Sequence, residues 1–308
     1  MNENIKESFE PNEISISKIF SELWINKKLI ITSVFLFSLA SVIYSLSLTN
    51  LYTSNSTVSI ATETEGRDIS QYQGLAAIAG INLPSSEKDD KSKLAMTKLK
   101  SREFFEVLYN EDGFLEDLMG AKSFDFETSS ITYDVKIFDV DKKRWVRDVS
   151  FPLQQKPSLL ESHKYFHDEV FKVSEDLDTG FITISIQHLS PEFSQKTLEF
   201  IIKNINDLSK SKDLEESSIA MKYLENELAK TDILNISDSI NQLIEFHTYR
   251  KMKAQTSEYY LLKVIDKPHL PERKSSPNRA MICILGFILG FLISCIYLIV
   301  RKNFNNEH

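Results

Sequence analysis

AMICILGFILGFLISCIYLIV, residues 280–300, and LIITSVFLFSLASVIYSLSL, residues 29–48, set the architecture of this chain. They run 21 and 20 residues without one charge. A bilayer core of about 30 Å takes about 20 apolar residues as a helix rising about 1.5 Å each. A soluble helix of that length shows a polar face, and neither stretch has one. The first is too long, and begins too late after 28 residues, for the apolar region of a cleaved signal peptide. Both are expected to span a membrane.

Basic flanks orient them. Lys27 and Lys28 precede the first span, and Arg301 and Lys302 follow the second. Both termini are therefore expected in the cytoplasm, with Trp24 as an anchor at the inner interface. Lys267, Arg273, Lys274 and Arg279 lie on the outer side, within a loop long enough to cross regardless of charge. The chain thus divides into a cytoplasmic tail (1–28), a first membrane helix (29–48), an outer domain (49–279), a second membrane helix (280–300) and a second tail (301–308).

The net charge of −8 falls on the outer domain, because the two tails cancel. That excludes nucleic acid as an expected partner. The only cysteines, Cys283 and Cys295, sit inside the second span, about 18 Å apart along a helix, so the outer domain uses neither disulfides nor thiolate metal sites.

Working outward from the spans, Ile16, Ile19, Phe20, Leu23 and Trp24 are spaced as one helix face leading into the membrane. Tyr52–Ala61, rich in Thr, Ser and β-branched residues, reads as a strand. A small apolar patch follows at Leu75–Leu83. Lys91–Tyr109 has helical spacing, Ile131–Val140 reads as a strand, and Ser158–Phe171 as a helix. In Phe181–His188, Ile182, Ile184 and Ile186 alternate with polar residues, as in a half-buried strand, after the turn Asp178-Thr179-Gly180. Ser190-Pro191-Glu192 is a helix start: a Ser cap, Pro at the first position, then an acid. From Glu192 to Lys267 there is no Gly or Pro, and apolar residues recur at helical spacing. This is either one long helix or a pair broken near Thr231–Ser239. The outer domain is therefore expected to be an α+β base (49–190) with a long helical arm (191–267) and a proline-rich linker (268–279).

Chemistry-bearing constellations are sparse. With eight glycines in all, there is neither a phosphate loop nor a G-x-G-x-x-G fingerprint. His163 and His167 have a zinc-compatible spacing on a helix, but Lys164 breaks the H-E-x-x-H pattern and no third ligand stands out. Lys142-Lys143-Arg144 with Arg147 surrounds Trp145 and reads as a charged turn. No catalytic, cofactor or metal residues are expected. Gly286, Gly290 and Ser294, four residues apart, share a face of the second span, and Ser38, Ser41 and Ser45 form a stripe on the first. Small residues let membrane helices approach closely, within one chain or between subunits.

Two segments resemble a known family. One is Glu13-Ile14-Ser15-Ile16 through Leu23-Trp24 and Lys27-Lys28, with Tyr52-Thr53-Ser54 beyond the span. The other runs from Tyr259 through Val264-Ile265-Asp266, Pro268 and Leu270-Pro271-Glu272 to Ser275-Ser276-Pro277-Asn278-Arg279, ahead of the span bearing Gly286 and Gly290. Together they resemble the Wzz-type chain-length determinants, the polysaccharide co-polymerases of bacterial inner membranes. The family's proline-rich motif maps here to Pro268, Pro271, Pro277 and Arg279, and a third glycine of the second span is replaced by Ser294.

The resemblance implies a periplasmic α/β base near the membrane, a helical arm and a homo-oligomer. It implies a non-enzymatic regulator of the length of O-antigen or a related glycan, acting with a Wzy-type polymerase on lipid-linked glycan. Relatives with a fused cytoplasmic tyrosine kinase are not expected to include this chain, which has eight residues after the second span. The alternative is an export-coupled partner of a separate tyrosine kinase in capsule or exopolysaccharide secretion. A two-span receptor lacks an output domain here, and a periplasmic hydrolase lacks a nucleophile–base pair.

Overall fold

The computed structural model describes residues 24–61, 88–230 and 234–306. The amphipathic segment before Trp24, the Leu75–Leu83 patch and Thr231 lie outside them. The chain divides into two compact units, one of Met1–Asn50 with Ser276–His308, the other Leu51–Ser275.

The first unit is a helix pair. Helix α1 (Lys27–Ser47) and helix α8 (Arg279–Asn306, the last of the chain) pack side by side and antiparallel. Each is long and apolar enough to cross a membrane. Only 6% and 17% of their spanning windows are buried by protein. Leu36, Ile43, Phe287 and Leu292 are more than half exposed. Apolar side chains left uncovered over this length call for hydrocarbon as solvent. The backbone needs none, since every N–H and C=O in a helix interior bonds within the helix.

The second unit is α+β, as expected. Its elements in order are β1 (Tyr52–Ile60), α2 (Lys88–Leu99), α3 (Arg102–Tyr109), α4 (Phe114–Gly120), β2 (Ala121–Asp125), β3 (Ser130–Tyr133), β4 (Phe138–Asp139), β5 (Arg144–Trp145) and α5 (Leu159–Tyr165). A π-helical turn (Phe166–Val170) leads into β6 (Phe171–Glu175), β7 (Ile182–His188), α6 (Pro191–Leu228), α7 (Leu234–Thr256) and β8 (Leu262–Asp266).

Four strands form one antiparallel sheet in the order β6-β7-β1-β8. In β7, Ile182, Ile184 and Ile186 are fully buried while the residues between them are partly exposed. The first turns of α6 cover that face with Leu198, Ile201, Ile202 and Ile205. Each such side chain contributes about 1.5–3 kcal/mol. Ser190 starts α6 as expected: its Oγ accepts from Phe193 N at 3.2 Å, with Pro191 next in the chain. Ser194 Oγ then donates to the Tyr52 carbonyl at 3.1 Å, which holds α6 against β1.

Beyond the sheet, α6 continues alone and α7 folds back along it. Leu224 packs with Ile240 and Leu243, so the stretch is a helical hairpin rather than one rod. The expectation of an arm over 191–267 needs correction at its end, because α7 stops at Thr256 and Leu262–Asp266 is a strand of the sheet. Asn206, buried within α6, fixes the return. Its Oδ1 accepts from the N–H groups of Tyr260, Leu261 and Leu262 at 3.1, 2.7 and 2.9 Å, and its Nδ2 donates to Leu262 O at 3.1 Å.

Three further expectations change. Lys91–Tyr109 is two helices, because Ser101 Oγ accepts from Phe104 N and caps a new start. Ile131–Val140 breaks after Tyr133, where Asp134 Oδ1 accepts from Lys136 N in a tight turn. Ser158–Phe171 is helical only to Val170, and Phe171 opens β6.

Candidate functional site

In the helix pair, Asn278 Oδ1 accepts from Met281 N at 3.2 Å and caps the first turn of α8. The residues that follow at four-residue spacing meet α1. A Cβ placed on Gly286 would lie 2.5 Å from Ser41 Oγ and 3.3 Å from the Phe37 carbonyl. At Gly290 it would lie 2.9 Å from Phe37 Cβ and 3.0 Å from Val34 Cα. Glycine is what allows this approach. Ser33 Oγ donates across the seam to Gly290 O at 3.1 Å. Ser294 and Ser45 are buried, at 1% and 2% exposure. Ser41 Oγ donates to Ser38 O, and Ser294 Oγ to Phe291 O, each within its own helix. The seam is therefore mostly close van der Waals contact. Ser33, Val34 and Phe37 were not singled out from sequence; the i, i+4, i+7, i+11 run Val34, Ser38, Ser41, Ser45 was the available signal for Val34.

Within the second unit, the linker after β8 is held along β1. Pro268 and Pro271 lack an N–H and cannot extend the β8 ladder. The linker instead offers carbonyls and one serine. Ser56 Oγ donates to Asp266 O at 2.6 Å and Ser54 Oγ to His269 O at 2.7 Å. Ser275 N donates to Leu51 O at 2.8 Å, and its Oγ bonds Thr53 Oγ1 at 2.7 Å and accepts from Gln187 Nε2 at 3.1 Å. Pro271 is buried. In the helix pair, Pro277 follows a cis peptide bond, and Arg279 donates to Asn50 Oδ1 at 3.1 Å. Ser54, Ser56 and Asn50 were missed as partners of this linker, since nothing local in sequence marks them.

The remaining constellations resolve into packing. Arg147 forks onto Glu161 at 2.5 and 2.9 Å and donates to the carbonyls of Gln154 and Gln155, which holds the Glu161 carboxyl below the usual range. Lys142 pairs with Asp139 in the β4–β5 turn, and Trp145 is buried against Phe138. His163 and His167 stand with ring centres 4.4 Å apart, His163 Nε2 bonded to Lys100 O. Burial pushes His167 down to about 4. Among the described residues, no cluster of three His, Cys, Asp or Glu gathers as a metal would need. His188 is buried, its Nδ1 accepts from Ser190 N at 3.2 Å, and desolvation pushes it down to about 4.

Residues 12–111 match a family model described as "Wzz: Chain length determinant protein". This bears out the resemblance read from sequence and takes in its N-terminal motif, from Glu13 to Tyr52-Thr53-Ser54. No curated protein matches significantly. Among solved structures, the chain is similar to a "full-length bacterial polysaccharide co-polymerase", with 13% identity, a TM-score of 0.43, and coverage of 95% of this chain and 99% of that one. It is also similar to a fragment of WzzB, a polysaccharide co-polymerase from Salmonella Typhimurium, with 12% identity, a TM-score of 0.35, and coverage of 74% and 100%.

Proposed function

We propose that this chain, similar over residues 12–111 to chain length determinants, sets the length of a surface polysaccharide. The family match is the observation that carries the reading. Two apolar helices packed as a pair, with the α+β unit between them in sequence, supply the two-pass form the reading requires. The flanking Lys27, Lys28, Arg301 and Lys302 favour cytoplasmic termini and an outer domain in the periplasm of an inner-membrane protein. The role is scaffolding. A homo-oligomer holds a Wzy-type polymerase and its lipid-linked glycan together, so that residence time fixes length. O-antigen of lipopolysaccharide is the first substrate to examine.

The test is the length distribution of surface polysaccharide, by gel, in cells without the chain and after its return. Loss of a modal cluster, restored on complementation, is the expected result. An unchanged ladder refutes length control of that glycan. Co-purification of a tyrosine kinase through residues 1–28 or 301–308, with altered capsule export, would favour the export-partner role instead. Substitutions over 231–246 should shift the mode without abolishing polymer.

A further inference from the structure

An open cleft of about 390 Å³ lies in the α+β unit, within the about 300–1,000 Å³ range of small-molecule sites. Helices α3, α4 and α6 and the β2–β3 hairpin line it. The β2–β3 hairpin supplies Phe124, Ile131 and Tyr133: Phe124 lies opposite Ile131 in the register, and Ile131 and Tyr133 share a face. The first turns of α6 supply Glu192, Lys196 and Phe200, and the floor is the start of α4 with Asp117. Phe124, Tyr133 and Phe200 are only half buried, so ring surface remains open to a ligand.

The polar groups narrow the ligand class. Tyr133 Oη donates to one oxygen of Asp117, which fixes that carboxylate and leaves the other oxygen to accept. Lys196 Nζ is paired with Glu192 at 3.1 Å, and Glu111 and Asp112 add negative charge at the rim. Phosphates and acidic sugars are therefore repelled. A wholly apolar ligand would leave the second oxygen of Asp117 without a donor. A neutral sugar meets both demands, offering C–H faces to the aromatic rings and hydroxyl donors to the carboxylates.

We infer that this cleft binds a short stretch of neutral glycan, stacked on Phe124 and Tyr133 and hydrogen-bonded to Asp117. The inference rests on the length-control reading and adds to it a direct contact with the polymer. That contact would lengthen the residence of the growing chain at the scaffold.

The experiment uses the full chain in lipid nanodiscs, with oligosaccharides released from the host's own surface polysaccharide and freed of lipid. Saturation-transfer NMR should show transfer to sugar ring protons. Phe124→Ala and Asp117→Asn should each weaken binding by at least about tenfold. Raising salt should leave the affinity unchanged, because no net charge is paired. Phe124 is half exposed on a hairpin, so an unchanged melting curve will show that its variant folds. Absence of transfer, equal binding by both variants, or binding of basic peptides in place of sugars overturns the inference. If the polysaccharide ladder depends on the chain while the oligosaccharides fail to bind, only the cleft is refuted. If the ladder ignores the chain, the functional reading falls with it.

Discussion

Adding one methyl group to Gly286 perturbs the helix seam at its tightest point. The new Cβ would lie 2.5 Å from Ser41 Oγ and 3.3 Å from the Phe37 carbonyl. Carbon atoms in contact prefer about 3.5–4.0 Å, so the helices must separate by roughly 1 Å. Overpacking of this kind costs about 1–3 kcal/mol. Separation also stretches the Ser33–Gly290 hydrogen bond, which is worth about 0.6 kcal/mol in a membrane. The gain in helix propensity from Gly to Ala, about 1 kcal/mol, offsets part of this. Gly286→Ala should therefore destabilise the helix pair by about 1–2 kcal/mol. Ser41→Gly removes the opposing Cβ and Oγ together and leaves only the Phe37 carbonyl near the new methyl. The double variant should recover most of the loss, with a coupling energy of about 1 kcal/mol. Steric trapping of the full chain in bicelles measures both quantities. If Gly286→Ala is neutral, or Ser41→Gly fails to rescue it, these residues are not opposed within one chain and the reasoning is refuted.

Three other outcomes follow from the α+β unit. Asn206→Ala leaves the N–H groups of Tyr260, Leu261 and Leu262 without their acceptor and should cost about 2–4 kcal/mol; hydrogen exchange at those amides should quicken by about thirty-fold or more, and Asn206→Asp, which keeps the acceptor, should be milder. His188 has its folded pKa depressed to about 4 by burial, below the unfolded value near 6.5, so the unfolded chain binds the proton first. Its contribution is complete above about pH 6.5 and is lost as pH falls towards 4, by up to about 1.4 kcal/mol per pH unit. Denaturant midpoints across that window should flatten in His188→Asn. Arg147→Lys cannot reproduce the fork onto Glu161 and two carbonyls, and should lose about 1–3 kcal/mol by thermal melt, nearly as much as Arg147→Ala.

What the sequence shows on its face is what local physics decides. A membrane span needs only length and hydropathy, so Leu29–Leu48 and Ala280–Val300 were legible to within a few residues of α1 and α8. A cap needs only Ser190, Pro191 and the N–H of Phe193, and an inward isoleucine every second residue suffices for β7. The failures lie where a distant partner chooses the conformation. Leu262-Lys263-Val264-Ile265-Asp266 carries no Gly or Pro and continues a helical pattern, yet it is β8, because the free edge of β1 takes Leu262 opposite Ile60 and Val264 opposite Val58. Asn206 looks like one more polar position on a helix until Tyr260–Leu262 arrive beneath it. The proline-rich linker has the same dependence. Pro268 and Pro271 are visible in the sequence, but the hydroxyls of Ser54 and Ser56 that hold this segment belong to a strand more than two hundred residues earlier. This proline-rich segment is thus placed by the partner strand β1, and β1 in turn by Ser194 of α6. Changing Ser54 or Ser56 to alanine should therefore loosen the linker without touching any proline, which is the behaviour expected when non-local pairing, rather than local stiffness, sets its course.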